Sequence, residues 1–212
     1  GRGIDQILPH PCEPRLFESY VTAADDYVKL AEAANGPIPR RVRPDYIWGD
    51  ALAILAEEQP DLRIANLETA VTTSNTPEPK GINYRMNPRN GAVLTALHID
   101  CCVLANNHVL DWGTAGLLET LETLGRLRLK TVGAGKNSSE AAAPAILNLG
   151  YRTRLLVFAF ATQSSGVPRS WSAGANRPGV NLLSNLSHGG IEMIAAQVSG
   201  IRRAGDTVVI SI

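Results

Sequence analysis

Short apolar runs alternate along the chain with segments of helical periodicity, and this alternation limits the fold more than any other feature. It is the pattern of an α/β protein, with strands forming sheet and helices covering it. Residues 16–34 read as an amphipathic helix stopped by 35-NGP-37, and a second short helix falls around 48-WGDALAILAEE-58. Beyond Pro60, 62-LRIANLE-68 reads as a strand ending in polar residues, and a polar loop follows over 72–83 with no sign of core. Residues 88–97 are predicted helical, with Asn87 a cap ahead of Pro88. The strand 99-IDCCVLA-105 precedes a helix over 114–128 that carries Leu117, Leu118, Leu121 and Leu124 at helical spacing. A strand near 130–135, a short helix from about Ser138 and an apolar strand over 153–161 come next. A long Ser-, Gly-, Asn- and Pro-rich loop spans 163–187, then a helix over 190–203 leads into the strand 206-DTVVISI-212.

A chain of 212 residues, 44% hydrophobic, can bury one substantial core, so a single domain over 1–212 is expected. Twenty basic residues balance twenty acidic ones, which gives no electrostatic case for nucleic acid or an anionic membrane surface. The longest apolar runs, such as 155-LLVFAFA-161, are far too short to span a bilayer as a helix. No signal segment opens the sequence, and the compartment stays open between cell surface and cytoplasm. Cys12, Cys101 and Cys102 have no metal-ligand spacing, and adjacent cysteines in a strand point to opposite faces, so reduced structural thiols are expected. A redox role is a poor reading without a Cys-x-x-Cys. In open α/β sheets the chemistry sits just past the carboxyl ends of strands. A sequence ending on the apolar 206–212 strand therefore predicts a truncated domain, with that strand buried in a sheet.

Two strands end in similar chemistry, one in 65-ANLE-68 and the other in 105-ANNH-108. If they are sheet neighbours, Glu68, Asn107 and His108 converge at one edge. A carboxylate, an amide oxygen and an imidazole can together hold divalent cations, or the imidazole can stay off the metal as a general acid. The alternative is a pair of loop caps and a surface histidine. Asp111, three residues after His108, either accepts the ring N–H and fixes its tautomer or caps the helix beginning near Thr114. Asn66 and Asn106 are expected to satisfy backbone groups at the strand exits. Trp171 either lines a cleft or anchors the long loop. Glycines 133 and 135 allow a tight strand-to-helix turn, which is too little to claim a phosphate cradle.

The stretches 48-WGDAL-52, 64-IANLETAVT-72, 80-KGINYRMNP-88, 104-LANNHVLDWG-113, 131-TVGAGKN-137 and 168-PRSWSAGANRPGVNLL-183, with "GRGID" and "DTVVISI" at the ends, fall in order at sensible spacing. In these the sequence resembles the CapA family, the poly-γ-glutamate capsule biosynthesis proteins of the calcineurin-like metallophosphoesterase superfamily. The resemblance implies a metallophosphoesterase-like four-layer α-β-β-α sandwich, truncated at both ends. It implies a divalent metal (Mn, Zn or Fe) with Glu68 and Asn107 as ligands, and His108 as the catalytic acid beside them. The superfamily places an acid directly after that histidine; Val109 stands there, and Asp111 is its expected substitute. The family's opening Gly-Asp motif would fall before Gly1 and its His-Trp-Gly motif after Ile212. Neither is in the sequence, so the 212 residues are not expected to assemble the full site or to hydrolyse by themselves.

Around that site Arg2 either reaches an anionic group of the substrate or is an exposed arginine. Lys80, Asn83, Tyr84 and Arg85 form either a cationic wall for a carboxylate-bearing substrate or a solvated loop edge. The function implied is synthesis, transport or release of poly-γ-glutamate, with an anionic polymer or γ-glutamyl substrate and membrane-associated synthase partners. A metal-dependent hydrolase of phosphoester or amide bonds is one form of it. A non-catalytic polymer-handling scaffold on the same fold is the other.

Overall fold

The computed structural model describes residues 2–150 and 153–212; Gly1 of the opening "GRGID" and residues 151 and 152 lie outside the described residues. The order begins with helices α1 (Arg2–Ile7), α2 (Ala24–Asn35) and α3 (Ala51–Glu58), then strands β1 (Ile64–Asn66), β2 (Ala70–Val71) and β3 (Arg85–Met86). Helix α4 (Ala92–Ala96), strand β4 (Cys101–Val103), helix α5 (Gly113–Arg126) and strands β5 (Lys130–Val132) and β6 (Ala134–Gly135) follow. Helix α6 (Ser138–Ala142) precedes β7 (Ala145–Asn148), β8 (Arg154–Ala159), β9 (Gly179–Val180), α7 (His188–Ser199) and β10 (Thr207–Ser211). The fold is mixed α/β with several small sheets. It divides into two compact units, one of the stretch through Pro60 with Glu68–Ile99 and His108–Arg128, the other of Asp61–Leu67, Asp100–Asn107 and Leu129–Ile212.

In the second unit β1, β4 and β5 form a parallel sheet in the order β1-β4-β5, and β10-β8-β7 form a mixed one in which β7 runs antiparallel to β8. Strand β8 explains how they pack. Its alternate residues Leu155, Val157 and Ala159 share a core with Cys101 and Val103 of β4, Val132 of β5 and Leu147 of β7. Leu156, Phe158 and Phe160 point the other way, with Ile194 and Val198 of α7 packed on them. A strand covered on both faces needs no polar alternation, which is why 154-RLLVFA-159 reads as a nearly continuous apolar run. Burial pushes the Cys101 and Cys102 thiols up to about 12, so both are inert packing groups.

The first unit is built differently. β2 and β3 pair in parallel, and α5 lies against β2 with Leu117 and Leu124 fully buried. Thr120 of α5 accepts from the Val71 N–H at 2.9 Å, so the helix supplies a partner to the short strand. Asn87 caps the turn at Pro88 by accepting from the Arg89 N–H at 3.0 Å.

Several sequence expectations need correcting. The helix expected over 16–34 begins only at Ala24; Arg15 bridges Ala23, and residues 16–22 form a loop rich in aromatic and β-branched residues that disfavour helix. Arg2–Ile7 is helical and Ala145–Asn148 is a strand, neither of which was expected. The 72–83 loop is not devoid of core, since Thr72 and Asn83 are buried. Strand β10 is not buried: it is a sheet edge with Thr207, Val209 and Ile210 exposed. Trp171 is buried and anchors its loop.

Gly133 has φ +88°, and a Cβ there would stand 2.6 Å from Ala105 Cβ and 2.8 Å from Ala159 Cβ. Gly133→Ala should therefore destabilise the protein by about 2–4 kcal/mol, from left-handed strain and overpacking together, measured by urea unfolding. The hydrogen bonds from Arg154 hold the Asp206 carboxyl at about 2, below its usual 3.8. A depressed carboxyl contributes stability above its unfolded pKa and loses it as pH falls through the folded value. Asp206→Asn should thus lower Tm at pH 7, and the difference from wild type should shrink as pH falls from about 4 towards 2.

Candidate functional site

Strands β1 and β4 are parallel neighbours, with Asn66 opposite Val103, so the two polar exits leave the same sheet edge. Asn106 ties them together, donating from Nδ2 to Asn66 Oδ1 and to the Leu67 carbonyl, each at 3.0 Å. That is the backbone-satisfying role expected for it. Asn107 is half-buried in the same unit, and its Nδ2 would lie 3.1 Å from a Cβ built on Gly166, whose φ is +82°. The bare backbone at Gly166 leaves room for the Asn107 amide, a demand that "QSSG" gives no hint of.

The first unit holds His108 and Asp111, both buried. His108 Nδ1 is 2.6 Å from Asp111 Oδ2, and that oxygen also accepts from the Tyr84 N–H at 2.6 Å. Asp111 Oδ1 takes a third donor, Lys80 Nζ, at 2.7 Å. A carboxylate facing Nδ1 holds a proton there, and Nε2 is the nitrogen on the side of Glu68. Nε2 is 3.9 Å from Glu68 Oε1, and the Glu68 side chain is half exposed. Asp111 is the orienting group and not a helix cap: α5 starts at Gly113 with no side-chain cap.

Tyr84 completes the setting. Its ring stacks on His108 with centroids 3.9 Å apart and planes 12° from parallel. Its hydroxyl accepts from Arg2 Nη2 at 3.2 Å, and its carbonyl accepts from Trp112 Nε1 at 3.0 Å. Ring, hydroxyl and backbone are all fixed.

The four residues expected to meet substrate have other partners. Arg2 is ion-paired with buried Glu18 and hydrogen-bonded to Tyr27, neither of which the sequence singled out across separations of 16 and 25 residues. Lys80 holds Asp111. Asn83 donates to the carbonyls of Glu78 and Asp111 at 3.0 Å each. The Arg85 guanidinium donates to carbonyls of Ser74 and Glu13 and lies 3.9 Å over the Trp112 ring, which makes it a structural clamp on the loop. Asn83, Tyr84 and Arg85 therefore pack around Asp111, while Lys80, whose ammonium pairs with it, stays at the exposed edge of the loop.

Among the described residues, no three His, Cys, Asp or Glu side chains are placed to hold a metal ion. The chain's implied donors are one carboxylate, Glu68, and one amide oxygen, Asn107. Their chemistry suits two positions of a Zn or Mn site, but such sites take roughly four to six ligands. They do not make a metal centre by themselves.

A model of the family described as bacterial capsule synthesis protein PGA_cap matches residues 1–212. A probable polyglutamine synthesis accessory protein of Mycobacterium tuberculosis strain CDC 1551 is 43% identical over 213 residues, covering 100% of this chain and 56% of the relative. Its counterpart in strain H37Rv matches to the same extent. An uncharacterized protein of Sinorhizobium fredii strain NGR234 is 30% identical over 132 residues, 58% of this chain and 28% of that protein. The chain thus spans little more than half the length of the mycobacterial relatives.

Removing the buried carboxylate leaves the Lys80 ammonium without its counter-ion. Asp111→Ala should cost about 2–4 kcal/mol, at or below the range for a buried pair because 27% of the Lys80 side chain is exposed. Chemical denaturation measures it; a loss under about 1 kcal/mol would mean that water takes over the carboxylate's role.

Proposed function

The chain belongs to the bacterial capsule synthesis protein family PGA_cap, and we propose that it serves poly-γ-glutamate synthesis, transport or release as a hydrolase acting on that anionic polymer. The printed role of the mycobacterial relatives, polyglutamine synthesis accessory protein, supports the pathway. The observation that carries the chemistry is the His108–Asp111 pair, a buried imidazole with Nδ1 committed to a carboxylate at 2.6 Å. We read the architecture as the metallophosphoesterase-like four-layer sandwich, and take membrane-associated synthases as partners.

In this reading a water oxygen bonds to the attacked phosphorus or carbonyl carbon as the bond to the leaving oxygen or nitrogen breaks. The leaving atom takes the Nε2 proton of a His108 imidazolium, and the proton released by the attacking water passes to solvent, from which Nε2 is protonated again. Asp111 stabilises the imidazolium before that transfer and holds the ring so that Nε2 faces Glu68. The stacked Tyr84 ring keeps the imidazole from rotating and shields one of its faces from water. Glu68 and Asn107 are proposed as two ligands of a divalent Mn, Zn or Fe ion that would polarise the attacked group when bound. Lys80 keeps 27% of its side chain at the surface and carries the proposed attraction for carboxylates; Asn83 and Arg85 act through the loop, and Arg2, its charge balanced by buried Glu18, does not share that role.

The test uses the full-length protein with γ-linked polyglutamate and a phosphoester as substrates. His108→Ala should lower turnover by roughly 10²–10⁴-fold with metal affinity retained, the usual contribution of a general acid. Glu68→Ala should instead weaken Mn²⁺ or Zn²⁺ binding in calorimetry. If His108→Ala strips the metal and Glu68→Ala does not, the two roles are reversed. If the wild type turns over neither substrate, the hydrolytic reading fails.

A further inference from the structure

A cavity of about 450 Å³ opens in the first unit, bounded by α1, α2 and the loop at Ile38, and the hydrolytic reading gives it no role. Ile4, Ile7, Val28 and Ile38 make its walls apolar, while Arg2, Tyr27 and Tyr84 contribute polar groups to the lining. Its size is that of small-molecule sites, which pair apolar walls with a few placed polar groups.

The polar groups define what would bind. The Arg2 guanidinium has five N–H donors. Nη1 is used by Glu18 and Tyr27, and Nη2 gives one donor to the Tyr84 hydroxyl. Nε–H and one Nη2–H have no protein partner among the described residues. The Tyr84 hydroxyl accepts from Arg2, so its own proton remains to be given. The Tyr27 hydroxyl spends its proton on Glu18. The cluster therefore presents donors and asks for an acceptor. Its charge is already balanced, because the Glu18 side chain is wholly buried against Arg2. A second carboxylate would face Glu18 across the same guanidinium, and a cation would face donors only.

We propose that this cavity is a binding site for a small neutral amphipathic ligand, an aliphatic body with an amide or ester carbonyl that accepts from Arg2 and Tyr84. This is unlike the polyanion of the proposed reaction, so the inference stands apart from that reading. Because Tyr84 lines the cavity and also stacks on His108, the occupant would sit one ring away from the imidazole.

Octanamide, octanoate and octylamine share one body and differ in the head. Titrated by calorimetry into the full-length protein, octanamide should bind one site with Kd of about 0.1–1 mM, modest because only a short chain is buried. Octanoate should bind roughly 3–10-fold more weakly, about the cost of facing a partly screened like charge. Octylamine should give no saturable heat. Ala31→Trp and Ile38→Trp, each filling the cavity from a different wall, should weaken octanamide at least about tenfold, with far-UV circular dichroism confirming the fold. Either variant suffices if the other fails to fold. Absence of saturable octanamide binding, wild-type affinity in a folded tryptophan variant, or equal binding of the three heads would each overturn the proposal.

Discussion

The Asp111 carboxylate is wholly buried, and much of the first unit is arranged to make that tolerable. Taking an ionised carboxylate out of water costs several kcal/mol unless donors replace the water. Here three do: Lys80 Nζ, the Tyr84 N–H and His108 Nδ1. The Asp111 carbonyl is occupied as well, accepting from the Glu78 N–H and from Asn83 Nδ2. The end of the polar loop of residues 72–83 thus closes on Asp111 through Glu78, Lys80 and Asn83, while its start is held by the Glu119 carboxylate. Arg85 locks the same loop by binding the Ser74 carbonyl and stacking on Trp112.

Tyr84 transmits this arrangement in two directions. Its backbone N–H is part of the Asp111 shell, and its ring restrains His108. Its hydroxyl joins the Arg2–Glu18–Tyr27 cluster beside the apolar cavity. A residue with so many ties has little rotational freedom, and the imidazole stacked on it inherits that restraint. Catalytic groups gain from such restraint because misplacement by an ångström can cost orders of magnitude in rate.

How much of this could be read from residues alone follows from the range of the interactions. Strand exits 65–68 and 105–108 were legible because apolar runs ending in polar residues are local patterns, and the parallel pairing of β1 with β4 bears that reading out. The His108–Asp111 pair was legible as one of two options, since a three-residue spacing suits both an orienting carboxylate and a helix cap. The partners of Arg2 were not legible: Glu18, Tyr27 and Tyr84 lie 16, 25 and 82 positions away. Arg85 misled because a basic residue in a polar loop looks solvent-facing, and only the fold shows it over Trp112. Strand β10 looked like core because its side chains are apolar, yet its place at a sheet edge leaves Val209 and Ile210 exposed.

The central claim is that Asp111 commits His108 to the Nδ1–H form and so leaves Nε2 for proton transfer. Long-range ¹H–¹⁵N correlation spectra of the histidine side chains, with His108 assigned from the His108→Ala variant, test this directly. The neutral ring should show a protonated, pyrrole-like Nδ1 and an unprotonated, pyridine-like Nε2. A neutral His108 carrying its proton on Nε2 would contradict the account, because Nδ1 would then have no proton to donate to Asp111.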